Sequence, residues 1–121
     1  MKIGLIGIGE LGIAVAKNTI KAGHDLKVFD LNPEAVARAV SHGAEAAESA
    51  AALAASVEVV LTVLPNPPII EDVMLGSGGV LAAMQPGSCW IDHSTNDRDL
   101  LRKIEAHAAE KNISVIEAPV T

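Results

Sequence analysis

The 121-residue chain is one domain long and half apolar, and its 9 basic against 15 acidic side chains leave a formal net charge of −6. That charge argues against nucleic acid as a partner. So does an aromatic content of 2%, Phe29 and Trp90 alone, since stacking platforms for single strands need several aromatics on a basic surface. A charged fraction of 20% is too low for a disordered chain, and Ile, Leu, Val and twenty alanines suffice for one packed core. The single cysteine, Cys89, excludes an internal disulfide framework and a Cys-only zinc site, which suits a reducing compartment. No apolar run approaches the roughly 20 residues that span a bilayer, and Gly4, Gly7 and Glu10 interrupt the opening stretch before it could serve as a secretory signal. The expectation is a cytoplasmic domain starting at Met1, with no membrane partner.

In chain order, Lys2 to Ile8 is a short Ile-rich run ended by glycine, which predicts a buried strand. Glu10 to Ala22 repeats apolar residues at helical spacing, with Lys17 and Lys21 one turn apart on a wet face and Gly23 as the stop. Asp25 to Asp30 predicts a second strand, and Pro33 starts a helix to about Val40. Residues 44–55, mostly alanine, predict a surface helix with Ser49 as a candidate N-cap. Val57 to Leu64 is apolar on both faces, as a central parallel strand must be, and Pro65, Pro67 and Pro68 stop it. Ile69 to Met84 predicts a helix broken at Gly76-Ser77-Gly78-Gly79. Ser88 to Asp92 is the next strand, Asn96 or Asp97 caps a helix from about Arg98 to Lys111, and Ile113 to Ile116 is the last strand. Strands alternating with helices throughout mean a parallel sheet covered on both faces: an α/β fold of the doubly wound, Rossmann type, forming one domain over residues 1–121.

The sharpest motif is Gly7-Ile8-Gly9-Glu10-Leu11-Gly12, a G-x-G-x-x-G pattern between the first strand and the first helix. Gly7 allows a tight turn, Gly9 lets a pyrophosphate approach bare backbone, and Gly12 lets the helix pack close to the strand. A helix N-terminus carries roughly half a positive charge and unpaired N–H donors, so an acidic protein can hold an anion there without Lys or Arg. Asp30, eighteen residues beyond Gly12 at the end of the second strand, is placed to accept hydrogen bonds from an adenosine ribose. A 2′-phosphate would meet like charge at Asp30, and Leu31 and Asn32 offer no cation, so NAD is favoured over NADP. No pair of histidines and carboxylates has metal-ligand spacing, so no metal is expected. His24, His42, His93 and His107 are read as turn, helix or strand-end residues.

Beyond the glycine turn, Ala22-Gly23-His24, Phe29-Asp30, Val63-Leu64-Pro65-Asn66, Ile91-Asp92-His93-Ser94-Thr95 and Glu117-Ala118-Pro119-Val120 resemble the β-hydroxyacid dehydrogenases. That family includes 3-hydroxyisobutyrate dehydrogenase and, more distantly, 6-phosphogluconate dehydrogenase. The resemblance covers essentially the whole chain, with Leu11 and His93 standing where Met is usual. It implies an N-terminal dinucleotide-binding domain that precedes a helical domain supplying dimer contacts and a catalytic lysine. It assigns residues 4–12 and Asp30 to the cofactor, with Leu64, Pro65 and Asn66 over its adenosine and pyrophosphate side and Thr95 beside the nicotinamide ribose. Thr121 falls where a Ser opening the substrate-carboxylate loop is usual.

The reaction the resemblance implies is hydride transfer between a nicotinamide cofactor and a 3-hydroxy acid of the 3-hydroxyisobutyrate or tartronate semialdehyde type. The lysines Lys2, Lys17, Lys21, Lys27, Lys103 and Lys111 do not match the family's second-domain motif, so no catalytic residue is assigned in this chain and the helical domain is expected to be absent from it. Such a domain binds the dinucleotide and turns over nothing alone. A homo-oligomer is expected, with apolar residues near Pro119, Val120, Ile69 and Ile70 on the face that meets another domain. The alternatives are an imine reductase-like enzyme on the same scaffold, a non-catalytic nucleotide-sensing module, and a methyltransferase, whose usual turn lacks the third glycine.

Overall fold

The computed structural model describes residues 1–94 and 97–118. Twelve elements alternate along them: β1 (Lys2–Ile6), α1 (Glu10–Lys21), β2 (Asp25–Phe29), α2 (Pro33–Ser41), β3 (Glu45–Ala46), α3 (Ala50–Ala55), β4 (Val59–Thr62), α4 (Pro67–Leu75), α5 (Val80–Ala83), β5 (Cys89–Asp92), α6 (Arg98–Glu110) and β6 (Ser114–Glu117). The strands form one sheet in the order β3-β2-β1-β4-β5-β6, and every pairing is parallel. This is a doubly wound Rossmann order, in keeping with the fold class expected from the alternation. It reverses direction between β1 and β4, and the crevice outside the carboxyl ends of those two strands is where open α/β sheets take their ligands.

Alternation along the strands divides the apolar residues between two cores. Ile3 and Leu5 of β1, Leu26 and Val28 of β2, and Leu61 of β4 pack with Ile13 and Ala16 of α1 and Ala39 of α2. Ile6, Val60 and Trp90 face the other way, against Leu53, Ile70, Met74, Leu81 and Ile104 from α3 to α6. Gly4 lies on this second face, where a Cβ would run into the Leu53 side chain and meet Val57 at 3.3 Å. Its missing side chain lets Leu53, fully buried, rest directly on the central strand. Trp90, also fully buried, is the largest side chain of the interior and compensates for the scarcity of aromatics.

Two expectations need correction. Residues 44–55 are not one helix. Glu45 and Ala46 form the edge strand β3, held through backbone bonds such as Ala47 N–H to the Val28 carbonyl (2.9 Å), and α3 follows from the expected Ser49 cap. Both β3 residues are exposed, so no apolar alternation marks them. The helix expected from Ile69 begins at Pro67, because the Asn66 side chain caps it and proline is well tolerated in a first helical turn. The other boundaries move by a residue or two, and Asp97 is the cap of α6. Among the described residues, no helix is long and apolar enough to cross a membrane. Ile69 is partly exposed, but Ile70, expected beside it on the open face, is fully buried under α4. Pro119 and Val120 lie outside the described residues.

The packing of Leu53 on bare backbone predicts that Gly4→Val destabilises the domain by about 1–3 kcal/mol through overpacking. Thermal denaturation followed by circular dichroism measures it, and an unchanged midpoint would show that α3 can retreat at no cost.

Candidate dinucleotide-binding site

The carboxyl end of β1 runs into the glycine turn at Gly7, whose φ of +95° is a conformation side chains rarely adopt. Its N–H donates to the Phe29 carbonyl (3.1 Å), joining the turn to the end of β2. A Cβ on Gly7 would strike the Val63 carbonyl oxygen, and one on Gly12 would strike the carbonyl oxygen of Gly7. Both glycines are therefore demanded by packing: the first turn of α1 rests on the turn that precedes it. Gly9 differs. Its φ of −76° suits any residue, and a Cβ there would meet nothing within 4 Å. The protein's own packing does not require a glycine at this position. Gly9 is also the N-cap of α1, which no side chain caps, and the helix then leaves the amides of Glu10, Leu11 and Gly12 without intrahelical acceptors. Bare backbone ahead of an uncapped helix is a donor set suited to a diphosphate.

Asp30 follows β2 and turns its carboxylate to the same place. Oδ2 accepts from the Ile8 amide (2.6 Å) and Oδ1 from the Asn32 amide (2.9 Å). The acid thus braces the glycine turn, and the Ile8 amide is spent on it rather than on an anion. Each carboxylate oxygen has a second lone pair, so acceptor capacity remains. Leu31 beside it is 91% exposed and Asn32 caps α2, so neither neighbour supplies positive charge.

Across the crevice, Leu64, Pro65 and Asn66 leave β4. The Leu64 amide donates to Ser94 Oγ (2.7 Å), Pro65 is exposed, and Asn66 Oδ1 accepts from the Ile69 amide (3.1 Å), which commits it to capping α4. Sequence reading had not recognised that capping role. It also missed a buried polar group beneath these loops. Thr62 and Asp92, both fully buried, are register partners at the ends of β4 and β5, and Thr62 Oγ1 donates to Asp92 Oδ1 (3.0 Å). The usable signal was a hydroxyl and a carboxylate ending two otherwise apolar strands. His93 donates Nδ1–H to the Ala118 carbonyl (3.0 Å), tying β5 to the end of β6. Thr95 and Thr121 lie outside the described residues.

A cavity of about 470 Å³ lies at the opposite edge of the sheet, between the amino ends of β1, β2 and β3, lined by Lys2, His24, Lys27 and Glu45 among others. Its charges are mixed and it is far from the switch point. Cys89 opens β5 at this same amino edge, and burial pushes its thiol pKa up, away from the reactive thiolate.

Fold, glycine turn and following acid together define an α/β domain of the dinucleotide-binding class. The chain belongs to the family described as the NAD binding domain of 6-phosphogluconate dehydrogenase, whose profile matches residues 2–121. Nicotinamide dinucleotide binding is the property of that family. The chain is 40% identical over 121 residues to 2-(hydroxymethyl)glutarate dehydrogenase of Eubacterium barkeri, covering 100% of this chain and 40% of the relative. It is 39% identical over 119 residues to 3-hydroxyisobutyrate dehydrogenase of Pseudomonas aeruginosa, covering 98% of this chain and 40% of that one. A solved structure of Mycobacterium tuberculosis 3-hydroxyisobutyrate dehydrogenase with L-serine superposes with a TM-score of 0.91 at 32% identity, over 99% of this chain and 40% of that one. The chain thus spans about 40% of the length of the relatives it matches.

The contrast between the glycines is testable by stability alone. Gly12→Ala is expected to lower the unfolding free energy by about 1–3 kcal/mol, whereas Gly9→Ala stays within about 0.5 kcal/mol of the parent, as for an open surface position. Urea titration of the two variants checks this, and equal losses would contradict the assignment of Gly9 to open space.

Proposed function

We propose that residues 1–121 hold the nicotinamide dinucleotide for an oxidoreductase that moves a hydride between this cofactor and a 3-hydroxy acid, of the 3-hydroxyisobutyrate or tartronate semialdehyde type. The observation that carries the reading is Gly9: a glycine that neither backbone conformation nor packing requires, at the head of a helix that no side chain caps. A diphosphate lying against that bare backbone accounts for it. Identities of 40% and 39% with hydroxyacid dehydrogenases favour this reading over an imine reductase on the same scaffold.

On this reading Gly7 and Ile8 shape the cradle, and the amides from Gly9 through Glu10 and Leu11 to Gly12 receive the diphosphate. Asp30 accepts from the adenosine ribose with the lone pairs its two backbone contacts leave over. Leu64, Pro65 and Asn66 lie over the adenosine and pyrophosphate side, Thr95 stands beside the nicotinamide ribose, and the Thr121 hydroxyl donates to a substrate carboxylate. NAD is preferred to NADP, because Asp30 repels a 2′-phosphate and neither Leu31 nor Asn32 beside it offers a cation. The bound nicotinamide ring supplies the hydride acceptor. The alcohol's proton needs a base within hydrogen-bond reach, and this chain's lysines are otherwise engaged or remote. Lys103 pairs with Glu71 (2.9 Å), Lys111 donates to the carbonyls of Leu81, Ala82 and Met84, Lys27 donates to Ser56, Lys17 and Lys21 lie along α1, and Lys2 stands at the amino end of β1, away from the crevice. The base is assigned instead to a lysine of a helical domain outside residues 1–121, in a cytoplasmic homo-oligomer. The 121-residue chain alone then binds the cofactor without turnover.

Calorimetric titration with NADH and NADPH tests the reading. NADH is expected to bind the parent chain more tightly than NADPH, and Gly9→Val to lower affinity for both by at least tenfold without unfolding the protein. Asp30→Ala should cost NADH roughly tenfold or more, the worth of a hydrogen bond to a charged group, and NADPH much less. Equal losses for the two cofactors would remove Asp30 from the ribose, and no binding of either by the parent would sink the function.

A further inference from the structure

The buried polar group beneath the β4 and β5 loops has no role in the function just proposed. Trp90 Nε1–H donates to Thr62 Oγ1 (2.8 Å), and an indole nitrogen can only donate. The Thr62 hydroxyl must therefore accept from Trp90 and send its single proton to Asp92 Oδ1 (3.0 Å). Asp92 Oδ1 also accepts from the Ser94 amide (2.9 Å), and Ser94 Oγ accepts from the Leu64 amide (2.7 Å). Four hydrogen bonds of determined direction thus run from the core up to the crevice and join the segment leaving β4 to the segment leaving β5. Thr62 and Asp92 are wholly buried and Ser94 is 3% exposed.

The buried Trp90 indole needs the acceptor that Thr62 provides, but stability gives no reason for the carboxylate that continues the chain. A buried carboxylate is costly unless fully hydrogen-bonded, and well-packed apolar side chains in place of buried ionic groups are often as stable or more so. Two positions earlier, the same two strands are paired by Val60 and Trp90 on the same face of the sheet, with aliphatic and aromatic contact instead. What directed hydrogen bonds add to packing is a single geometry for the groups they connect. The groups connected here are the starts of the two loops at the carboxyl ends of β4 and β5. In a doubly wound sheet, that half takes the second mononucleotide of a dinucleotide.

We propose that Asp92 is a positioning residue for the nicotinamide half of the cofactor: held from below by Thr62, it fixes Ser94, where the segment leaving β5 begins, in one place at the crevice, with the Leu64 backbone amide as the anchor on the β4 side. The inference deepens the dinucleotide reading and rests on it. Asp92 itself, buried beneath the crevice, acts through Ser94.

The test compares NADH with ADP, which carries the adenosine and diphosphate but no nicotinamide riboside, by titration calorimetry on the 121-residue chain. Thr62→Val removes both the proton donated to Asp92 and the acceptor of the Trp90 indole, Ser94→Ala removes only the acceptor of the Leu64 amide, and Thr62→Ser keeps the hydroxyl. The first two are expected to weaken NADH by roughly three- to tenfold, the scale of one directed hydrogen bond, with ADP held within about twofold; Thr62→Ser stays near the parent for both. A general loss of structure would lower NADH and ADP together, and that outcome overturns the proposal, as does unchanged NADH affinity in variants that keep the parent's circular dichroism. If Thr62→Val does not fold, Ser94→Ala gives the same comparison. A parent chain that binds ADP but gains nothing from the nicotinamide riboside overturns this inference alone, whereas one that binds neither overturns the dinucleotide reading as well.

Discussion

Helix α1 begins so close to the end of β1 that neither Gly7 nor Gly12 has room for a side-chain carbon, the one facing the Val63 carbonyl and the other the carbonyl of Gly7 itself. That approach aims the first turn of the helix along the crevice between β1 and β4. A longer connection would leave the helix dipole and its unpaired amides pointing elsewhere, and their attraction for an anion fades within about one turn. Asp30 then secures the turn from the side, through the amide of Ile8, so the second strand contributes to the rigidity of the first loop. The head of α1 thus presents main-chain donors at Gly9, with no side chain capping them. This explains how a protein with a net charge of −6 can still hold an anionic cofactor.

Period and punctuation made most of this architecture readable before the coordinates. The Ile-rich run before Gly7, the two-sided apolarity of residues 57–64 and the helical spacing after Glu10 each report a local environment that the residues themselves must satisfy. The parallel, doubly wound class followed from alternation, whereas the full order of the strands needed the structure, since β3 was not read as a strand. What escaped reading was set by contacts between distant segments. β3 consists of two exposed residues paired to β2 through the backbone, and backbone bonding leaves no trace in side-chain type. Asn66 was assigned by resemblance to the crevice, yet its side chain also caps α4, a role that depends on the helix starting at Pro67.

The site shows the same division. The glycine pattern and the acid after β2 are legible because each answers a local geometric demand. Gly9 could be told apart from Gly7 and Gly12 only with coordinates, since all three are equal in the pattern and only the space around them differs. The Thr62 and Asp92 pairing was equally hidden, because it requires knowing that the ends of β4 and β5 lie side by side in register. One family of physical effects lies behind both cases. A sequence displays what a residue prefers, whereas function here depends on what stands, or fails to stand, within a few ångströms of it.

The brevity of β3 has a consequence for the chain in concentrated solution. An open sheet ends in a row of backbone donors and acceptors that another molecule's strand could extend, and long flat edges seed aggregates for that reason. At this border only Glu45 and Ala46 pair with β2, both side chains face water, and Glu45 carries charge. Too little ladder is offered there for an intruding strand to gain purchase, so this flank of the sheet is protected against fibrous growth by being nearly absent.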